Sequence, residues 1–350
     1  MNQIAQMRLQ VQQLVNPQFN TPKELVSWMG AIQAQDITMA KWAVGIRLKN
    51  AKQETVNDAL RKGEILRIHV MRPTWHYISA EDAQWMIKLS AERVRAANAS
   101  YARGLGLEIS GQLLSKSYKL LEKILEGNRH LTKQEIEEEF QKADFPVHDR
   151  YVHRLMEYAE TESIVCSGTE KGNKHTYALL EERVPPAKEL HRDEALALLA
   201  LRYFQSHSPA SFSDFLWWSG LTTGDARKAI SFIKHELITE RINDQEYFIH
   251  ESCRAANDTP TLHLLPPFDE YLISYKDRSA VLTAEHQPKA HNRWGIFYPV
   301  IAHNGQIAGN WTKTTKKKET QLETSFFEPK LKVNQSLLKE ASAKYQSFIL

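Results

Sequence analysis

One plan recurs three times along this chain of 350 residues and constrains its fold more than any single motif does: amphipathic helices followed by a pair of short strands. In the first copy, apolar periodicity predicts helices over 4–15, 22–32 and 39–48, a short helix over 56–62, and strands over 66–71 and 74–78 joined at Arg72-Pro73. A long helix over 80–103 leads to the second copy, with helices over 112–126, 132–142 and 150–160 and strands over 163–167 and 175–179. The third has helices over 193–205, 211–219 and 225–235 and strands over 238–242 and 247–250, turning at Asn243-Asp244. This is the plan of the winged helix-turn-helix. From Leu262 strands dominate, with Asn304-Gly305 as a type I′ hairpin turn and a closing helix over 331–347. The expected fold class is α+β: winged helix-turn-helix units over 1–105 (with its connecting helix), 106–185 and 186–255, then a β-rich domain with a C-terminal helix over 256–350.

Hydrophobic content of 42% with 25% charged residues excludes disorder. The formal charge of +3 permits nucleic-acid binding through local clusters without arguing for it. Cys166 and Cys253 lie far apart without metal-ligand spacing, so no disulfide framework, metal site or cofactor is expected, and a reducing compartment fits. The first ten residues lack an apolar signal core, and no run approaches the roughly 20 apolar residues that span a bilayer. The chain reads as a cytoplasmic monomer.

Tandem winged helices bind duplex DNA or serve as protein-interaction modules, and both readings stand at this level. With a turn at Arg72-Pro73, Leu66, Ile68, Val70, Trp75 and Tyr77 share the apolar face of the first hairpin. Arg67, His69, Thr74 and His76 share the other, with His69 opposite His76. Phosphate or base contact from that exposed face, with Arg72 at the turn, is the functional reading; packing of the hairpin is the alternative. The remaining candidate phosphate contacts are Lys171 and Lys174 in the second hairpin loop, Arg227 and Lys228 on the last helix of the third copy, and Lys316, Lys317 and Lys318 in the β-rich domain.

The stretch Trp28-Met29-Gly30-Ala31-Ile32-Gln33-Ala34-Gln35-Asp36 puts three polar side chains after the apolar stripe Leu25, Trp28, Met29, Ile32. Residues two apart face opposite ways on a helix and the same way in an extended segment, so Gln33 and Gln35 converge only if the helix stops near Ile32. Asp36 is placed to cap the next helix. A polar helix end bonded to nearby backbone is the alternative to a functional pair.

Three blocks occur together here: Ala31-Ile32-Gln33-Ala34-Gln35-Asp36; His69-Val70-Met71-Arg72-Pro73-Thr74-Trp75-His76; and Pro266-Pro267-Phe268-Asp269-Glu270-Tyr271-Leu272 with Tyr275-Lys276-Asp277-Arg278-Ser279. In their order and in the plan around them they resemble the AlkZ-like DNA glycosylases, bacterial enzymes that remove alkylated bases, some from interstrand crosslinks. A related branch, YcaQ, carries Asp at the second position of the glutamine motif. The resemblance implies that Gln33 and Gln35 position the attacking water in a monofunctional glycosylase acting on double-stranded DNA. Asp36 is then either a cap or a carboxylate that stabilises the sugar cation or takes the water's proton. A non-enzymatic DNA-binding protein or transcriptional regulator is the rival. Asp269, Tyr275, Lys276, Asp277 and Arg278 form either a buried hydrogen-bonded corner or a contact to the DNA strand, Lys276 and Arg278 being the candidates for the latter.

Overall fold

The structure, a computed structural model, describes residues 2–145, 149–186, 189–253, 259–316 and 319–350. The chain packs as two compact units, one formed by 1–57 with 197–350 and the other by 58–196.

The first unit opens with the helix Gln3–Val11, whose first turn is capped by Asn2. Thr21 and Glu24 form a reciprocal capping box at the start of Pro22–Met29, and Pro22 sits where its missing N–H costs nothing. This helix ends three residues before the expected Ile32. Gly30 adopts φ +73°, a left-handed backbone that a side chain disfavours, and the chain leaves the helix there for a two-residue strand, Ile32–Gln33. The next helix, Met39–Gly45, starts under Asp36, whose carboxylate accepts the N–H groups of Thr38 and Met39 at 3.0 and 2.9 Å.

Later in this unit come the helices Phe212–Ser219 and Thr223–Phe232 and the hairpin of Leu237–Ile242 with Gln245–His250. Four antiparallel strands follow in the order Glu319–Phe326, Gln306–Lys316, Val300–His303, Leu262–Leu265. Asn304 and Gly305 make their turn with φ of +52° and +79°, as a type I′ turn requires. A Cβ on Gly305 would come within 2.9 Å of Ala5. The C-terminal helix Gln335–Ile349 lays Tyr345 and Phe348 on Trp42, each with ring centroids 5.1 Å away. The buried indoles of Trp42 and Trp311 donate to the carbonyls of Leu264 and Leu265, both at 2.7 Å, so aromatic burial leaves no orphaned N–H on either ring.

The second unit holds the hairpin Ile65–Val70 with Thr74–Ser79, the long helix Ala83–Gly104, the helices Gly111–Leu125, Lys133–Lys142 and Asp149–Thr161, and a three-stranded sheet in the order Leu131–Thr132, Thr176–Leu179, Val165–Ser167. Its core gathers Leu121, Leu125, Ile136, Phe140, Leu155 and Met156 among others.

The first hairpin departs from expectation by one residue. Met71 adopts φ +57°, buries its side chain and donates its N–H to Ser90 Oγ at 2.8 Å, so the turn contains Met71, Arg72 and Pro73 rather than Arg72-Pro73 alone. His69 therefore pairs with Trp75 and Ile68 with His76, and His69 does not oppose His76. Moving the register by one exchanges the faces of the second strand: Arg67, His69, Trp75 and Tyr77 lie on one side, Ile68, Val70, Thr74 and His76 on the other.

Candidate active site

The glutamine motif and the Phe268–Ser279 block, far apart in sequence, meet in the first unit. Asp269 and Glu270 begin the short helix Glu270–Ile273, and both are buried. Glu270 Oε1 accepts the backbone N–H of Gln33 at 2.6 Å. Its Oε2 accepts from the Ser274 hydroxyl and, at 3.3 Å, from the indole of Trp218, and lies 3.7 Å from His207 Nε2. Burial alone would raise this carboxyl's pKa, but His207, Ser274 and the Gln33 N–H outweigh it and hold it at about 2. Glu270 is thus a buried carboxylate that fixes the backbone of Gln33.

A second buried pair braces the first. Arg47 grips Asp269 through Nη1 and Nη2 at 2.9 and 2.6 Å and also donates to Gln12 Oε1 and the Ala43 carbonyl. Gln12 in turn donates to Tyr275 Oη at 3.0 Å, and Tyr275 donates to the His207 carbonyl at 2.9 Å. Arg8 lies over the Tyr275 ring, 3.5 Å from its centroid. Asp269 and Tyr275 therefore belong to a buried hydrogen-bonded corner, whereas Lys276 and Asp277 are exposed and Arg278 is half-buried. Lys276 and Arg278 both approach the face of Trp217, at 5.0 and 5.8 Å.

Within the motif, Gln33 is buried and Gln35 is exposed, two residues further on in a bend. Asp36 is exposed and caps the helix that follows. Ala31 to Ala34 are buried, so the backbone that carries Gln33 is fixed on both sides of it.

In the second unit, the expectation of an exposed polar hairpin face is corrected. Arg67, His69 and His76 are buried, and Arg72 and Thr74 are half-buried. His69 Nδ1 is 2.6 Å from Glu160, its ring lies 3.8 Å from that of Trp75, and Arg67 lies over the same indole at 4.0 Å. His76 Nδ1 contacts the Thr74 carbonyl at 2.8 Å. Burial lowers the pKa of the Arg67 guanidinium, the cost of enclosing a cation. The one-residue register change is part of the reason, since it brings Trp75 onto the side of Arg67 and His69, where the helix Asp149–Thr161 supplies Glu160.

Lys171, Lys174, Arg227 and Lys228 are exposed as expected. Lys171 bonds to Glu135 at 2.7 Å and drives that carboxyl down to about 2. Lys316 ends its strand, while Lys317 and Lys318 lie outside the described residues. Glu285, His286 and Glu328 bring one possible ligand atom each within 4.8 Å of one another; both carboxylates are exposed, and His286 Nε2 is 3.1 Å from Glu328. Glu270, Arg47, Gln12 and His207 had no place among the expected residues. Glu270 follows Asp269 inside a recognised block, yet an acidic pair in sequence does not reveal that both members will be buried or which distant group each will hold.

Residues 26–348 match the model of the AlkZ-like DNA glycosylase family. A curated relative, the interstrand DNA cross-link repair glycosylase of Streptomyces sahachiroi, is 22% identical over 324 residues, which cover 88% of this chain and 86% of that protein. The solved structure of Streptomyces sahachiroi DNA glycosylase AlkZ superposes with a TM-score of 0.81 at 20% identity, covering 99% of this chain and 96% of the other. Its likeness establishes a mixed fold of helices with small antiparallel sheets.

Proposed function

Because the chain belongs to the AlkZ-like DNA glycosylase family, we propose that it hydrolyses the N-glycosidic bond of alkylated bases in duplex DNA, with Gln33 and Gln35 positioning the water. The observation that carries this reading is the 2.6 Å bond from the Gln33 N–H to Glu270, which anchors one glutamine on extended backbone while the other is exposed two residues away. An amide both accepts and donates, so two of them can orient a water toward the anomeric carbon.

Departure of the base leaves an oxocarbenium-like sugar. An amide is a very weak base, and a site built on amides suits a leaving group that is already cationic, such as an N-alkylated purine. The Asp36 carboxylate, exposed beside Gln35, stabilises the sugar cation and takes the water's proton while it caps Met39–Gly45. Crosslinked purines fall within the same chemistry, in line with the name of the Streptomyces relative. The protein acts as a monomer. Its helix groups with their hairpins are read as winged helices that hold the duplex, and Lys171, Lys174, Arg227, Lys228, Lys276, Arg278 and Lys316 to Lys318 are its proposed phosphate contacts.

The test is release of N7-methylguanine from methylated duplex DNA under single-turnover conditions. Free base and an intact abasic strand are expected, with no adduct trapped by borohydride, as befits hydrolysis without a Schiff base. No release, or a trapped covalent adduct, overturns the reading.

A further inference from the structure

Trp294 is 76% exposed, and of the eight tryptophans it alone is displayed to solvent. With the exposed Ile296 it forms a small apolar patch of the kind a partner covers. Its loop is tightly built: His291 and Phe297 bridge its base, Asn292 Oδ1 accepts the N–H groups of Trp294 and Ile296 at 2.9 and 3.1 Å, and Gly295 turns the tip with φ +78°. The tip presents Arg293, Trp294 and Ile296, all exposed, with the Arg293 guanidinium 4.8 Å from the indole centre.

The base of the loop leans on the site already described. Phe297 is buried, lies 6.3 Å from Phe268 between ring centroids, and has Arg278 over its face at 5.0 Å. Phe268 immediately precedes Asp269 and Glu270, which hold Arg47 and the Gln33 backbone. Lys276, Arg278 and Arg293 supply cations around two aromatic faces, Trp217 and Trp294, against two exposed acids, Asp277 and Glu285, in the segment 276–293. Cations alternating with aromatic faces match a polyanion that carries stackable bases.

We propose that the 291–297 loop is a stacking wedge: Trp294, with Ile296 beside it, enters the base stack of duplex DNA next to the lesion while Arg293 and Arg278 contact the flanking phosphates. The proposal rests on the glycosylase reading and adds the step that reading lacks, the opening of the stack. Unstacking costs energy that an inserted apolar or aromatic side chain returns, and a loop ordered beforehand by Asn292 loses little freedom on insertion.

The test uses the full chain and a duplex carrying 2-aminopurine beside N7-methylguanine, whose fluorescence rises when its stacking is broken. The wild type is expected to raise this signal on binding. Trp294→Ala is expected to abolish the rise and weaken binding about tenfold, whereas Trp294→Phe keeps most of both; equal melting temperatures check that the exposed substitutions leave the fold intact. An unchanged signal and affinity in Trp294→Ala overturn the wedge, even if the enzyme still releases the base. Trp294-dependent binding to anionic lipid vesicles, with no such dependence on DNA, overturns it in favour of a membrane surface. If the signal depends on Trp294 but the wild type releases no alkylated base, the wedge stands and the glycosylase reading falls.

Discussion

The carboxylate of Glu270 and the backbone N–H of Gln33 meet at 2.6 Å across a separation of 237 residues, so the position of one catalytic candidate is set by a group at the other end of the chain. Glu270→Gln keeps the shape but turns an amide N–H toward donors. It is expected to cost about 1–3 kcal/mol in urea unfolding and to slow base release, with little change in DNA affinity. A full-rate Glu270→Gln enzyme would remove Glu270 from the positioning role.

The same residue makes an acid-limb prediction. Its folded pKa of about 2 lies below the ordinary value of 4.5, so the stability it supplies is fully present above pH 4.5 and is lost as the pH falls from there toward 2. Between pH 5 and 3 the wild type is expected to lose more stability than Glu270→Gln. Glu135, depressed by Lys171, titrates in the same window in both proteins and cancels from the difference.

Asp36 has two assigned tasks that one substitution separates. Asparagine caps a helix as well as aspartate does, so Asp36→Asn is expected to melt with the wild type, while Asp36→Ala loses about 1 kcal/mol. If the carboxylate also serves the sugar cation, Asp36→Asn releases base at least about tenfold more slowly. Equal rates would confine Asp36 to the cap.

The first hairpin is expected to behave as packing. Arg67→Ala gives up burial and the stacked indole and is expected to destabilise by about 1–2 kcal/mol, where an exposed residue would cost less than about 0.5. A Trp75→Ala variant should lose about 3 kcal/mol. Urea unfolding of the two variants decides this.

These elements show what the sequence could and could not carry. Thr21-Pro22 marks a helix start and Asn304-Gly305 a hairpin because capping and positive φ are local requirements, and the structure has both where they were expected. The end of Pro22–Met29 differs from the expected Ile32 because Gly30 is tolerable inside a helix, and its left-handed φ of +73°, which is why a glycine belongs there, is set by the tertiary path of the chain rather than by a local signal. The hairpin register turned on Met71, a residue type that seldom takes positive φ, so no turn signal announced it. The bond of Glu270 to Gln33 is tertiary, and neither residue's neighbours encode it.

Whether Gln33 and Gln35 hold one water is read from single-turnover release of N7-methylguanine by Gln33→Ala, Gln35→Ala and the double variant. Each single variant is expected to lose release while DNA affinity stays within a few-fold, and the double variant to lose little beyond the worse single one, since a water held by one contact is already misplaced. Full release by the double variant would mean that the two glutamines do not hold the water.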